Sequence, residues 1–235
     1  MSKPCIIVTG ASKGIGAAIA QELDQRGFPV VGLSRSGISA AGDARTCDMT
    51  DESAVRETIV AIGKDRGITG LVNNAGLYIG SPIAELLSET YDQVMDLNAK
   101  AVMIASRETY PFLKVAGGGK IVNIGSFFDK MGVPHNLPYC VSKAAVAAMT
   151  RCMAVEWSVD NIKVIDVAPG YIETDLNRDY LSREKIKQWL AGRIPTGRAG
   201  RPADVARLVA ALFVEDIPFL TGETIYVDGG QGMNH

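Results

Sequence analysis

The stretch "TGASKGIG", residues 9–16, follows the apolar run "CIIVTG" (5–10) and leads straight into a helical pattern over 14–26. The order strand, glycine turn, helix decides the reading of the fold. Glycines at 10, 14 and 16 let the backbone turn sharply and approach an anion, and the helix that follows offers unpaired N–H groups at its N-terminus. In that setting the loop, with Ser12, Lys13 and Ile15 between and beside its glycines, predicts a pyrophosphate cradle rather than a plain turn.

The same grammar continues along the chain. "PVVGLS" (29–34), "GLVNNAG" (70–76), "KIVNIGS" (120–126), "IKVIDVAPG" (162–170) and "ETIYVDGG" (223–230) are β-branched runs that stop at glycine or small polar residues. Near-continuous apolar strands are buried on both faces, which implies a parallel sheet covered by helices. Helical patterns occupy 51–65, 88–115, 139–158 and 202–213, the last opened by Pro202 with Asp204 in its first turn. The alternation predicts an α/β fold, a single-domain doubly wound (Rossmann) parallel sheet with helices on both faces, spanning 1–235. One connection is thin, because "RSGISAAGD" (35–43) leaves room for little more than one helical turn. The segment 175–200, carrying Tyr180, Trp189 and Leu190 among charges, reads as a helical insert that covers the substrate at the carboxyl edge of the sheet.

Composition narrows the classes. The chain has 235 residues, 47% apolar and 21% charged, enough for a substantial core. A net charge of −2 gives no footprint for nucleic acid or an anionic membrane. No apolar run reaches the length of a membrane span, and "MSKPCIIVTG" enters a strand too early for a signal peptide. The four cysteines (Cys5, Cys47, Cys140, Cys152) have no metal-like spacing and read as reduced core residues, hence a cytoplasmic protein. With His135 and His235 the only histidines, neither a metal site nor a His-based triad is expected.

Two further places carry chemistry. A dinucleotide site for NAD usually holds an acid about 20 residues past the glycines, on the ribose 2′-hydroxyl. Here Ser34 and Arg35 take that place, and with Lys13 they suit a 2′-phosphate, so NADP is expected in preference to NAD. Asp48 would accept from the adenine amino group or cap a turn, with Met49 beside it. In "PYCVSKAAVAAM" (138–149), Tyr139 and Lys143 stand four apart, on one helix face. A cation there would stabilise the ionised phenol and lower its pKa from about 10; an ordinary surface pair is the competing reading.

With those pieces placed, the chain resembles the short-chain dehydrogenase/reductase family from end to end. The matching motifs, in order, are "TGASKGIG", "CDMTD" (47–51), "NNAG" (73–76), "LNA" (97–99), "GS" (125–126), "YCVSK" (139–143), "PGYIET" (169–174) and "LTGETIYVDGG" (220–230). The resemblance gives Asn98, Ser126, Tyr139 and Lys143 the catalytic roles. Tyr139 would exchange a proton with the substrate oxygen, and Lys143 would lower the phenol's pKa and hold the nicotinamide ribose. Ser126 would hydrogen-bond the reacting oxygen. Asn98 would bind, through a disturbed helix, the water by which family members pass protons outward. The resemblance also implies that Asn74, Ala75 and Gly76 border the adenosine ribose, and that Pro169, Gly170, Ile172 and Thr174 surround the nicotinamide carboxamide and phosphates. Thr174 would equally serve as an N-cap of the insert.

The chain departs from the family pattern in the short 35–43 connection and in its own pocket loop, "FFDKMGVPHNLPY" (127–139). Phe127, Phe128, His135, Asn136 and Tyr171 are expected to line the substrate pocket beside Ser126 and Tyr139. The expected function is an NAD(P)(H)-dependent oxidoreductase that interconverts a secondary alcohol and a ketone on a small molecule, for instance a sugar, polyol or sugar acid. The alternative enzyme is a 3-oxoacyl-(acyl-carrier-protein) reductase, disfavoured by Asp160 among the charges of "EWSVDNIK" (156–163). A dinucleotide-binding sensor or regulator is the non-enzyme alternative, and the intact Ser–Tyr–Lys set argues against it. The resemblance implies a homotetramer. The small residues of "KAAVAAMTRCMA" (143–154) and the tail "DGGQGMNH" (228–235) are candidate subunit contacts.

Overall fold

A computed structural model describes residues 3–174 and 177–233. Asp175 and Leu176, which open the expected insert, lie outside the described residues, as do Asn234 and His235 of the tail. The chain runs β1 (Cys5–Thr9), α1 (Gly14–Gln25), β2 (Val30–Ser34), β3 (Asp43–Thr46), α2 (Glu52–Arg66) and β4 (Ile68–Asn73). It continues with α3 (Ser88–Met95), α4 (Ala101–Val115), β5 (Gly119–Ile124), α5 (Leu137–Trp157) and β6 (Ile162–Pro169). The last elements are α6 (Arg178–Leu181), α7 (Glu184–Arg193), α8 (Pro202–Val214) and β7 (Thr224–Val227).

The seven strands form one sheet in the order β3-β2-β1-β4-β5-β6-β7, and every neighbouring pair is parallel. Alternate residues of each strand feed opposite faces. Cys5 and Ile7 of β1 join a core with Val55 and Ile59 of α2 and Ile104 of α4. Ile6 and Val8 join the other core, with Ile19 and Leu23 of α1 and Val205 and Val209 of α8. Two buried faces explain why strands such as "CIIVT" show no polar alternation.

The strand order reverses between β1 and β4, so the crevice at their carboxyl ends is where an open α/β sheet binds its ligand. The loops after β1, β4, β5 and β6 carry the glycine turn, "NNAG", Ser126 and Pro169–Gly170 to that edge. The thin connection after β2 contains no helix; Ser34 closes it as a turn, its hydroxyl donating to the Ile38 carbonyl at 2.8 Å. Helix α5 starts at Leu137, two residues before the expected start, because Pro138 is tolerated in a first turn where its missing N–H has no partner to lose. Tyr139 is therefore its third residue.

One expectation changes. Cys152 is exposed rather than in the core, since it falls on the outward face of α5; Cys5 and Cys47 are buried. The tail folds on its own chain through residue 233. Asp228 accepts from the Gly230 and Gly232 amides at 2.9 and 2.8 Å, and Gln231 is buried.

Candidate active site

The glycine loop is built as a close-packed cradle. Gly10 and Gly14 sit at φ of 69° and 59°, where glycine alone is unstrained. Gly16 is tighter for another reason: a Cβ there would collide with Asn74 Nδ2 and the Gly10 carbonyl. The first amide donating into α1 is that of Ala17, to Lys13, so the N–H groups of Gly14, Ile15 and Gly16 have no acceptor within the helix. Lys13, the N-cap position, has no side-chain cap and is exposed. A cavity of about 390 Å³ adjoins the loop, bounded by Ser12, Lys13, Gly14, Thr174 and Pro202. A glycine-lined turn, open helix amides and an exposed cation fit a dinucleotide's phosphates.

Around the cradle, several side chains are already committed to the protein. Asn74 Nδ2 donates to the carbonyls of Thr9 at 2.9 Å and Gly10 at 3.3 Å, tying β4 to the loop. The amides of Asn74 and Ala75 both donate to Thr9 Oγ1 at 3.0 Å, and Gly76 lies exposed beside Asn98 Oδ1. Asn74 thus shapes the site by tying both its side chain and its amide to β1 and the loop. Ser34 Oγ is likewise occupied by the 34–38 turn. Arg35 is exposed. Asp48 accepts from the Thr50 amide and hydroxyl at 3.0 and 2.8 Å, which holds its carboxyl below the ordinary range, with Arg35 adding to the effect. The turn cap uses Oδ1 alone, and the residue is exposed, which is compatible with its other expected role toward an adenine. Met49 is buried in the core with Val55, and Ile15, partly buried, packs against the other core.

The candidate chemical groups converge from β5 and α5. Ser126, at the exit of β5, is buried, and its hydroxyl reaches the Tyr139 phenol. Lys143 is buried one turn below; its Nζ donates to the Ile124 carbonyl at 2.7 Å and lies 5.6 Å from the Tyr139 ring centre. The expected lowering of the phenol's pKa is not what this arrangement produces. Burial pushes Tyr139 above its ordinary value, the Ser126 hydrogen bond opposing, because the lysine's ammonium is directed at Ile124 instead of the phenolic oxygen. Burial also pulls Lys143 down to about 8, with Asp166 opposing. Asn98 sits in a π-helical turn, Asp96–Lys100, between α3 and α4. Its side chain exchanges two 2.8 Å hydrogen bonds with the Leu77 backbone and donates to Ser142 Oγ at 3.2 Å. It braces the loop after "NNAG" against α5.

The expected pocket residues divide into two groups. Phe127 and Phe128 are buried and meet Tyr171 edge-on at 5.5 and 6.2 Å, and Phe128 meets Tyr139 at 6.0 Å. His135 has φ 64°, an exposed side chain and a carbonyl that accepts from the Ser81 amide at 2.9 Å, so it serves the loop's path. Asn136 is buried, its Nδ2 donating to Pro134 at 2.6 Å, and its Oδ1 has no hydrogen-bond partner. Ile172 is buried and bridges to Gly200. Pro169 ends β6, and a Cβ on Gly170 would fall 2.8 Å from the Asp228 Cα. Among the described residues no helix begins directly after Thr174, α6 starting four residues later; its amide donates to Asn177 Oδ1 at 2.7 Å, and its methyl lies over Gly14.

Two residues here, Tyr78 and Asp166, were not singled out in the sequence, and Trp189 was placed in the insert but not against Tyr171. Tyr78 packs on Tyr139 at 5.6 Å, Trp189 of α7 packs on Tyr171 at 5.8 Å, and Asp166 lies beneath Gly125. The signals were a tyrosine two places past "NNAG", the one tryptophan in the insert, and a lone acid inside an apolar strand.

The family model described as enoyl-(acyl carrier protein) reductase matches residues 10–232. The chain is 35% identical to the 3-oxoacyl-(acyl-carrier-protein) reductase MabA of Mycobacterium tuberculosis, over 98% of this chain and 93% of that protein. It is 32% identical to gluconate 5-dehydrogenase of Gluconobacter oxydans, over 95% of this chain and 93% of that protein. The crystal structure of a gluconate 5-dehydrogenase from Burkholderia cenocepacia, in complex with NADP and tartrate, superposes with a TM-score of 0.92 at 28% identity, covering 100% of this chain and 97% of that one. With a parallel sheet, glycine cradle and Ser–Tyr–Lys cluster along its whole length, the chain belongs to the short-chain dehydrogenase/reductase family of NAD(P)-dependent oxidoreductases acting on CH–OH groups.

Proposed function

We propose that the chain uses NADP(H) to interconvert a secondary alcohol and a ketone on a free small molecule of the sugar, polyol or sugar-acid class. The observation that carries this reading is the convergence of Ser126, Tyr139 and Lys143 at the carboxyl edge of the sheet, beside the glycine cradle. When bound, the nicotinamide supplies or accepts the hydride. Tyr139, a phenol that is protonated at neutral pH and that burial keeps so, donates its proton to the carbonyl oxygen as the alcohol forms. Ser126 hydrogen-bonds that oxygen and orients the phenol. Lys143 holds the nicotinamide ribose hydroxyls through its ammonium, turning from Ile124. Asn98 keeps the π-turn and α5 in register. Residues 74–76, 169, 170, 172 and 174 border the cofactor through their backbone and the Thr174 side chain.

NADP in preference to NAD is supported by Lys13 and Arg35 exposed at the cradle, with no carboxylate at the end of β2. Arg35→Ala is expected to weaken NADPH binding about tenfold or more while leaving NADH binding nearly unchanged, since one bidentate phosphate contact contributes about 1.5–3 kcal/mol. Fluorescence titration with each nucleotide checks this, and equal losses for both would sink the 2′-phosphate assignment.

A second reading, reduction of a 3-oxoacyl group on a carrier protein, is favoured by the aromatic wall formed by Phe127, Phe128, Tyr171 and Trp189. NADPH oxidation with a panel of sugars, keto-sugar acids, simple ketones and an acetoacetyl thioester separates the two. Turnover confined to the thioester would replace the first reading. The proposal also takes 1–235 as one dinucleotide-binding and catalytic domain, with 175–200 covering the substrate. It includes a cytoplasmic homotetramer, supported by four free cysteines and by Met103, Val141 and Val155 exposed on α4 and α5.

A further inference from the structure

Strand β6 reads "IKVIDVAP", and its fifth residue is a fully buried carboxylate, Asp166. A charge in that position is costly unless something compensates it. Its Oδ2 accepts from the Thr224 hydroxyl at 3.2 Å, while its Oδ1 has no hydrogen-bond partner. The carboxylate lies against Gly125. A Cβ on that glycine would stand 2.6 Å from Oδ2, and nearer still to Oδ1, so only glycine leaves room for the acid. Gly125 is the middle of Ile124–Gly125–Ser126, the segment whose first carbonyl holds the Lys143 ammonium and whose last hydroxyl reaches Tyr139. The half-satisfied acid therefore sits under the backbone that spaces the reacting groups.

The charged and titratable groups around it come from three elements. Lys143 faces it from α5, Asp129 from the turn after β5, and Tyr226 from β7. The Tyr226 hydroxyl is itself taken by Asp129 at 2.9 Å. Lys143 is the cation that acts on the carboxylate, while Lys130 Nζ lies over the Tyr226 ring at 3.5 Å. The two buried charges answer each other: burial pushes Asp166 up to about 6 with Lys143 opposing, and pulls Lys143 down to about 8 with Asp166 opposing.

We propose that Asp166 is a positioning residue whose carboxylate keeps Lys143 in its ammonium form and whose packing on Gly125 sets the separation of Lys143 from Ser126. It acts through Lys143 and touches neither substrate nor cofactor. The inference rests on the reading of Lys143 as the group that holds the nicotinamide ribose.

The sign follows from the charges. The ammonium is present at low pH and is lost as pH rises through its pKa. Removing the neighbouring negative charge brings that loss to lower pH. The test is NADPH binding, read by nucleotide fluorescence from about pH 6.5 to pH 9.5, for the unaltered chain, Asp166→Asn and Lys143→Met. The alkaline decline of the unaltered chain is expected near a midpoint of about 8. In Asp166→Asn it should move down by about one pH unit, leaving binding about fivefold weaker at pH 8 and nearly equal at about pH 6.5. Lys143→Met should lose the decline altogether. A merely structural role would weaken binding by the same factor at every pH, and parallel curves with one midpoint overturn the inference. An unaltered chain that binds no NADPH at any pH overturns the functional reading and this inference with it. Thr224→Val, which takes a donor from the carboxylate and so favours its protonated form, is the second variant should Asp166→Asn fail to fold. It should shift the midpoint in the same direction by less, and an unmoved midpoint counts against the proposal.

Discussion

Tyr139→Phe is expected to lower turnover about a thousandfold while NADPH affinity stays within about twofold of the unaltered chain. A positioned acid contributes roughly 10²–10⁴ to such a reaction, or about 3–5 kcal/mol of barrier. The substitution removes one hydroxyl and keeps the ring, so the packing of Tyr139 against Tyr78 and Phe128 survives. Lys143, which holds Ile124 rather than the phenol, keeps its place as well. Steady-state rates and a binding titration on the same preparation check both halves. Residual turnover above about a tenth would mean that another group protonates the substrate. Loss of binding together with turnover would mean that the phenol holds the site together.

Gly16→Ala has the second largest expected effect, and it falls on the cofactor. The new methyl would meet Asn74 Nδ2 and the Gly10 carbonyl. The carbonyl belongs to the cradle itself and cannot swing aside as a side chain would. Asn74 would also have to release Thr9 and Gly10, loosening the tie between β4 and the loop. Overpacking of this kind costs about 1–3 kcal/mol, equivalent to a melting temperature lower by roughly 2–10 °C in a chain of this size. NADPH affinity should fall more than about tenfold, because the open amides at the start of α1 move with the loop. The matched control is Gly192→Ala on α7, where a Cβ meets nothing within 4 Å. There the gain in helix propensity should leave stability unchanged or raise it by about 0.5–1 kcal/mol. A Gly16→Ala protein that melts and binds like the control would show that the cradle tolerates the methyl.

Much of the candidate site was readable in the chain because it is local. The glycine loop needs only the turn and the helix that follows it, and Tyr139 and Lys143 need only one helical turn. Readings that required a neighbour from elsewhere were less certain. Asn98 was read as lying in a disturbed helix, and the disturbance is the π-turn Asp96–Lys100; its ties to Leu77, 21 residues back, and to Ser142, 44 residues on, were not readable from its own helix. Tyr139 and Lys143 looked like a cation lowering a phenol's pKa. The helix brings them together, but the end of β5 supplies the carbonyl that draws the ammonium away, and the surrounding aromatics supply the burial that raises the phenol.

By itself the sequence determined the element order, the two-faced burial of the strands and the family, because each rests on residue type and short-range spacing. Periodicity tells which face of a strand or helix is apolar, and glycine marks where the backbone must turn or pass closely. Only the tertiary structure decided which faces meet. It set the order of the strands, set Tyr78 edge-on to Tyr139, turned the Asn74 side chain into the loop, and placed Asp166 beneath Gly125, 41 residues away. Burial and charge depend on those meetings, and with them the protonation states on which the proposed chemistry rests.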